Sequence, residues 1–282
     1  MTEPLAIAGT PRPFLKWVGG KRQLLPELER RVAQARPHGR YHEPFVGGGA
    51  LFFDLYSRGE LGRSKACLSD NNQRLIQAYW AVQEHVEEII ALLDSHRASH
   101  EKEFYYAMRA QVPEDPIERA ARIIYLNRTC FNGLFRENSK GEFNVPMGRY
   151  KNPLICDAPN LRAVSRALQR CTIRHQSFAA VLETAKTDDL VYFDPPYAPV
   201  SKTANFTGYH KGVFGEELQR ELADVFQELT KRGVKALLSN SDVPLIHALY
   251  KGHQIEVVRA TRLVNSNASK RGKVNEVMVR NF

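Results

Sequence analysis

Four apolar residues, Leu190-Val191-Tyr192-Phe193, run directly into Asp194-Pro195-Pro196-Tyr197. A short apolar run of this kind reads as a buried strand. The two prolines after it cannot donate to a ladder, so the strand must stop there and the backbone beyond it is stiff. The carboxylate of Asp194 is thereby displayed at the carboxyl end of a strand, where α/β sheets bind their ligands. The Pro195 carbonyl is held rigidly beside it. Two fixed acceptors suit an exocyclic amine with two N–H bonds, and Tyr197 offers a flat face to the base that carries it. The bland alternative is a proline-rich turn with a capping aspartate.

The rest of the pattern agrees with an α/β fold. A helix is expected over residues 24–35, a short strand over 40–43, a helix over 50–58 and a strand over 65–68 with Asp70 at its end. Helical spacing then dominates from about 72 to 127, followed by a polar loop over 127–152. From about 173 α/β character returns, with a helix over 216–231, strands over 235–239, 254–259 and 274–279, and a helix over 243–250. The simplest organisation is an α/β domain built from residues 1–71 and 156–282, interrupted by a helical insertion over 72–155.

Between the first strand and its helix stands Phe45-Val46-Gly47-Gly48-Gly49. Glycines there permit a sharp turn and close approach to a ligand over the sheet edge. Asp70 lies 21 residues beyond Gly49, the spacing at which a Rossmann-like second strand offers a carboxylate to ribose hydroxyls. Phe52 occupies the third glycine position of a dinucleotide fingerprint, so a nucleoside without phosphates fits better than a dinucleotide. A plain tight turn is the competing reading. The stretch Trp17-Val18-Gly19-Gly20-Lys21 has the outline of a P-loop, but Arg22 follows where Ser or Thr would bind magnesium, which disfavours ATP hydrolysis. Trp17 and Lys21 read either as an aromatic wall and a cation for a carboxylate, or as one buried aromatic and one solvated lysine.

Composition narrows the class. With 43% hydrophobic and 25% charged residues the chain has the makeup of a globular protein, and its net charge of +9 and pI near 9.4 favour a polyanionic partner. No apolar run reaches the ~18 residues of a membrane span, and the first residues lack the basic and apolar regions of a signal peptide. The four cysteines are scattered without a C-x-x-C pair, so neither a zinc site nor a disulfide framework is expected and a reducing cytoplasm is the default.

The motifs Lys16-Trp17-Val18-Gly19-Gly20-Lys21, Phe45-Val46-Gly47-Gly48-Gly49 and Asp194-Pro195-Pro196-Tyr197, in this order, resemble those of the alpha-group DNA adenine N6-methyltransferases. Four further stretches resemble the Dam methylases, which modify adenine in GATC: Phe131-Asn132-Gly133-Leu134-Phe135-Arg136, residues 141–150, Ala204-Asn205-Phe206-Thr207 and Ser239-Asn240. Phe131 stands where those enzymes often carry Tyr, and Met147 where an aromatic is common. The resemblance implies a Rossmann-like S-adenosylmethionine-dependent methyltransferase domain with an inserted helical target-recognition domain. It implies methyl transfer to N6 of an adenine flipped from the duplex, with no metal, by a protein expected to be cytoplasmic and monomeric.

By that resemblance Asp194, Pro195 and Tyr197 are the catalytic positions. Trp17, Lys21, Phe45, Gly47, Gly49, Asp70 and Asp194 line the cofactor site, with Asp70 on the ribose. Lys16, Asn132, Arg136, Pro146 and Tyr150 contact DNA. Arg136 is the candidate for a bidentate guanine contact, the alternative being a phosphate contact. The cations Arg128, Arg136, Lys140, Arg149 and Lys151 of the loop, and Arg259, Arg262, Lys270, Arg271, Lys273 and Arg280 near the end, are candidates for a phosphate-facing groove, or else a solvated basic surface. Two other classes compete: an RNA or protein methyltransferase with the same Pro-Pro-Tyr box, and a non-catalytic DNA-binding protein on a decayed scaffold. The loop over 131–150 argues against the first and the intact motif positions against the second.

Overall fold

The computed structural model describes residues 9–17, 19, 21, 23–35, 39–61, 65–199, 214–261 and 273–282. In chain order the elements are α1 (Leu25–Ala35), β1 (Tyr41–Glu43), α2 (Ala50–Ser57), β2 (Ala66–Asp70), α3 (Gln73–Glu84), α4 (Val86–Ala98), α5 (Lys102–Ala110), α6 (Pro116–Thr129), α7 (Ala158–Leu168), β3 (Cys171–His175), α8 (Val181–Thr184), β4 (Leu190–Phe193), α9 (Glu216–Lys231), β5 (Lys235–Ser241), α10 (Pro244–Leu249), β6 (Gln254–Thr261) and β7 (Lys273–Arg280). The fold is mixed α/β, as the sequence pattern predicts. β4 and α9 occupy their expected ranges, and most other expected elements shift by one or two residues at their ends.

The chain forms two compact units. One comprises Arg22–Val46, Leu61–Asn71 and Gln176–Phe282. It holds six of the seven described strands, in the order β2-β1-β4-β5-β7-β6. The first four are mutually parallel, and β7 and β6 are antiparallel. From β1 the chain moves outward to β2 and later returns to β4 on the other side of β1. The carboxyl ends of β1 and β4 therefore flank a topological switch point, the usual place for a ligand in an open α/β sheet. All four residues of β4 are buried, which explains its continuous apolar sequence. The side of α9 carrying Leu222, Val225, Phe226 and Leu229 packs into the cluster that contains Val191, Phe193, Ala236 and Leu238. Each such fully buried side chain contributes about 1.5–3 kcal/mol.

The other unit comprises Met1–Lys21, Gly47–Glu60 and Asn72–His175. Here α6 packs on α3 and α4, and it is buried almost all round, through Ala120, Ala121, Ile123, Ile124, Tyr125 and Leu126. Asp115 caps α6 by accepting from the amides of Ile117 and Glu118, with Pro116 at its first turn. Helix α7 has no counterpart in the sequence reading. Its start is marked by Asp157, which accepts from the Asn160 amide, and by Pro159 in the first turn. The segment expected as a polar loop over 127–152 is more ordered than its composition implies. α6 continues to Thr129, isolated bridges join Cys130 to Met147 and Glu137 to Phe143, and Phe143 and Val145 are buried. These few apolar side chains fold the segment back on itself.

Candidate active site

In the sheet-bearing unit, three carboxylates stand at the ends of three adjacent parallel strands: Glu43 closes β1, Asp70 closes β2 and Asp194 follows β4. Glu43 is a site candidate the sequence reading lacks, although an acid ending a strand just before Pro44-Phe45 is visible there. It is buried, and its Oε2 accepts from the Tyr41 hydroxyl at 2.8 Å. Burial and then the charges of Glu43 and Asp194 push the Tyr41 phenol well above its ordinary range, so it stays a donor. Asp70 is half-buried and its carbonyl accepts from the Gln176 amide at 3.2 Å. Phe45 does not stand alone over the sheet edge. It stacks on Phe178 at 5.3 Å and meets Phe193 and Phe214 edge-on, tying the turn after β1 into the core.

The turn after β4 is anchored from two sides. Gln219 of α9 donates to the Pro196 carbonyl at 2.9 Å, Asn240 Oδ1 accepts from the Ala198 amide at 3.0 Å, and Ser241 donates to the Ala198 carbonyl at 2.8 Å. None of these three bonds takes the Pro195 carbonyl. Three polar residues in a row at the end of β5, Ser239, Asn240 and Ser241, are fully buried, and this turn is what they serve. Ser239 Oγ donates to Asp194 Oδ1 at 3.0 Å and also lies 3.0 Å from the Tyr192 hydroxyl. Because the single serine proton goes to the carboxylate, Tyr192 donates to Ser239. Tyr197 donates its hydroxyl to Glu276 Oε2 of β7 at 2.6 Å, which restrains the ring beside the Asp194 carboxylate's own turn. Burial, then the negative charges of Asp194 and Glu276, raise the Tyr197 phenol well above its ordinary value and keep it protonated.

The helical unit carries the remaining candidates. Gly47 and Gly49 both adopt left-handed backbone, with φ of 46° and 66°. A Cβ on Gly47 would come within 2.8 Å of the Trp17 ring, and one on Gly49 within 2.7 Å of the Tyr79 hydroxyl. Only glycine satisfies both the conformation and the contact. Tyr79 also donates to the Gly47 carbonyl at 3.0 Å, a support from α3 that no local signal announces. Trp17 is half-buried and stacks on Phe135 at 5.4 Å. Lys21 is buried rather than solvated, and its ammonium donates to the Gly19 carbonyl at 2.8 Å. Val18 and Gly20 of the same motif lie outside the described residues.

Four of the five expected DNA-contacting residues fall on the folded segment after α6, and Lys16 joins them. The Lys16 amide donates to Asn127 Oδ1 at 2.7 Å, and its ammonium lies 4.3 Å over the Tyr150 ring. Asn132 is exposed with φ of 55°, the Pro146 carbonyl accepts from the Phe131 amide at 2.9 Å, and exposed Arg136 donates through Nε to Asn144 Oδ1 at 2.7 Å. Arg74 of α3, absent from the sequence-based set, braces this segment through Glu137 and through the Gly141 carbonyl at 2.6 Å. One of the expected groove cations is placed differently. Arg280 is largely buried and pairs with Glu256 and Gln34, so its charge is committed within the fold. Arg262, Lys270 and Arg271 lie outside the described residues, as does the Ala204–Thr207 stretch. Among the described residues no group of three or more His, Cys, Asp or Glu is placed to hold a metal ion, and no helix is long and apolar enough to cross a membrane.

Comparison with known proteins gives this arrangement a family. The chain is 43% identical over 279 residues to the type II methyltransferase M1.LlaDCHI of Lactococcus lactis, covering 96% of this chain and 95% of that one. It is 41% identical over 288 residues to the type II methyltransferase M.MjaIII of Methanocaldococcus jannaschii, covering 96% and 99%. With the DNA adenine methylase of Escherichia coli the identity is 37% over 278 residues, covering 95% and 94%. Residues 17–264 match the family described as D12 class N6 adenine-specific DNA methyltransferase, and this protein belongs to it.

Proposed function

We propose that the protein transfers a methyl group from S-adenosylmethionine to N6 of an adenine flipped out of double-stranded DNA, within GATC. The observation that carries this reading is the anchored Asp194-Pro195-Pro196-Tyr197 turn, whose carboxylate is oriented by Ser239 and whose tyrosine is restrained by Glu276.

An adenine amine is a weak nucleophile because its lone pair is delocalised into the ring. The Asp194 carboxylate and the Pro195 carbonyl accept its two N–H bonds, draw the nitrogen towards tetrahedral geometry and stabilise the positive charge that grows there, which is preorganised electrostatic catalysis. Extruding a base costs a few kcal/mol. The Tyr197 ring, held by its hydroxyl, offsets part of that by stacking. S-adenosylmethionine, when bound, supplies an electrophilic methyl on a sulfonium sulfur. The chemistry of the strand-end acids fits such a cofactor. Asp70 suits a ribose diol, and the carboxylates of Glu43 and Asp194 suit a cation. In the sheet-bearing unit Phe45, Asp70 and Asp194 are assigned to the cofactor, and in the helical unit Trp17, Lys21, Gly47 and Gly49.

The segment over 72–155 is assigned to target recognition, with Lys16, Asn132, Arg136, Pro146 and Tyr150 as its DNA contacts. Arg136 keeps its terminal guanidinium nitrogens clear of the Asn144 bond, which uses only Nε, and so retains the fork that reads guanine O6 and N7. Two variants test the reading. Asp194→Ala, shown to be folded, is expected to lose methyl transfer while keeping DNA affinity, and retention of near wild-type turnover overturns the assignment. Arg136→Ala is expected to lose about 1–3 kcal/mol on GATC and to relax preference at one guanine position. In competition assays a uniform loss across single-base variants of GATC would make Arg136 a phosphate contact instead.

A further inference from the structure

A second cluster of reactive groups lies at the amino end of β4, well away from the Asp-Pro-Pro-Tyr turn. Asp189 precedes the strand and Asp194 follows it, about 16 Å apart at the rise of a strand. Asp189 is buried and accepts three hydrogen bonds: from His42 Nε2 at 2.9 Å, from the Arg40 amide at 2.7 Å and from the Lys186 amide at 2.9 Å. His42 is buried in β1, and its register partner on parallel β2 is Cys67. Register partners on neighbouring strands present their side chains on the same face of a sheet, within contact distance. The Cys67 thiol therefore sits beside the His42 imidazole, and the Arg40 side chain is near enough to act on its charge as well. Carboxylate, imidazole and thiol thus form a relay in which the first orients the second and the second activates the third.

Electrostatics favour the charged form of this relay. Burial raises the Cys67 thiol, but the neighbouring His42 imidazole and Arg40 guanidinium outweigh it and bring it below the ordinary thiol value. Burial likewise lowers His42, but the bond to Asp189 and the adjacent Cys67 thiol outweigh it and raise the imidazole. The other thiols contrast with this. Cys130, Cys156 and Cys171 are buried, and burial pushes Cys130 and Cys156 up to about 11. Cys67 is only half-buried. Nothing in methyl transfer uses these residues, and an apolar trio would fill the same space without burying charge.

We propose that Cys67, activated by His42 and Asp189, is a site of S-thiolation by low-molecular-weight disulfides. In that step the Cys67 thiolate attacks one sulfur of the disulfide, the S–S bond breaks, and a new S–S bond joins Cys67 to that sulfur. The departing thiolate takes the proton held by His42. Cys67 is oxidised and the leaving sulfur reduced.

The test is exposure of the intact protein to oxidised glutathione, with mass spectrometry of the whole chain and of its peptides, alongside iodoacetamide rates from pH 5 to 10. One glutathione is expected, on the Cys67 peptide and absent from Cys67→Ser. Cys67 is expected to alkylate at pH 7 at least tenfold faster than the three buried cysteines, with a pH–rate midpoint below the ordinary thiol value of about 8.5. His42→Gln is expected to slow it about tenfold. The proposal is overturned if glutathione lands on another cysteine or on none, or if the wild-type midpoint lies at the ordinary value. That last reading needs no variant, so it stands whether or not His42→Gln folds, and it is independent of the methyl-transfer assignment.

Discussion

Ser239 links two groups that behave very differently when it is removed, and this makes Ser239→Ala a quantitative test of the strand-end network. The serine is fully buried, it donates to Asp194 at 3.0 Å, and it receives the Tyr192 proton at 3.0 Å. Losing a hydrogen bond to a charged acceptor costs about 1.5–3 kcal/mol, and the half-exposed Asp194 can recover part of that from water, which puts this part near 1.5. The Tyr192 hydroxyl, on a side chain only 1% exposed, is left without its acceptor, at a further ~1–2 kcal/mol. Ser239→Ala alone should therefore cost about 3 kcal/mol. Tyr192→Phe alone removes one donor and leaves the serine satisfied by Asp194, at about 1 kcal/mol. In the double variant no hydroxyl is orphaned, so the two single losses should exceed the double loss by about 1–2 kcal/mol. Urea unfolding followed by circular dichroism at pH 7.5 measures all three. Additivity within about 0.5 kcal/mol would refute the reasoning, because it would mean that Tyr192 finds another partner when Ser239 is gone.

Other outcomes follow from the same structure. Gly49→Ala forces an L-residue into left-handed backbone at φ 66° and drives a Cβ to 2.7 Å of the Tyr79 hydroxyl; it should lower stability by more than the ~1–2 kcal/mol of the conformation alone, and a denaturation midpoint equal to wild type would sink the claim. Asp189 is held below its ordinary carboxylate value; burial works against this, but the bonds from His42, Arg40 and Lys186 outweigh it. A depressed carboxylate stabilises the fold above its unfolded value and loses that contribution as pH falls through the folded one. The deficit of Asp189→Asn should therefore be full above about pH 4 and shrink below it, and a deficit that stays constant down to pH 3 counts against the pairing. If about five cations of the segment proposed for target recognition meet phosphates, DNA affinity should fall with salt at a log–log slope near −4 to −5, and a flat response in titrations between 50 and 200 mM salt would remove those contacts.

The sequence by itself determines whatever rests on neighbours along the chain. Leu190–Phe193 must be a strand and must end at Asp194, because apolar side chains seek burial and two prolines lack amide donors. The glycines at 47 and 49 and the amphipathic α9 are legible for the same reason. Tertiary structure alone decides the partners. Ser239 reaches Asp194 across 45 residues, Glu276 reaches Tyr197 across 79, and Tyr79 reaches Gly47 across 32. Ser239, Asn240 and Ser241 look like an unfavourable polar end to a buried strand until the turn they satisfy is in place. Arg280 shows the converse. It looks like one more cation for DNA, but pairing β7 with β6 in register brings Glu256 to it. Local chemistry sets where a carboxylate is displayed, and only strand order sets which distant groups come close enough to hold it there, because hydrogen bonds act over about 3 Å and carry no trace in sequence spacing.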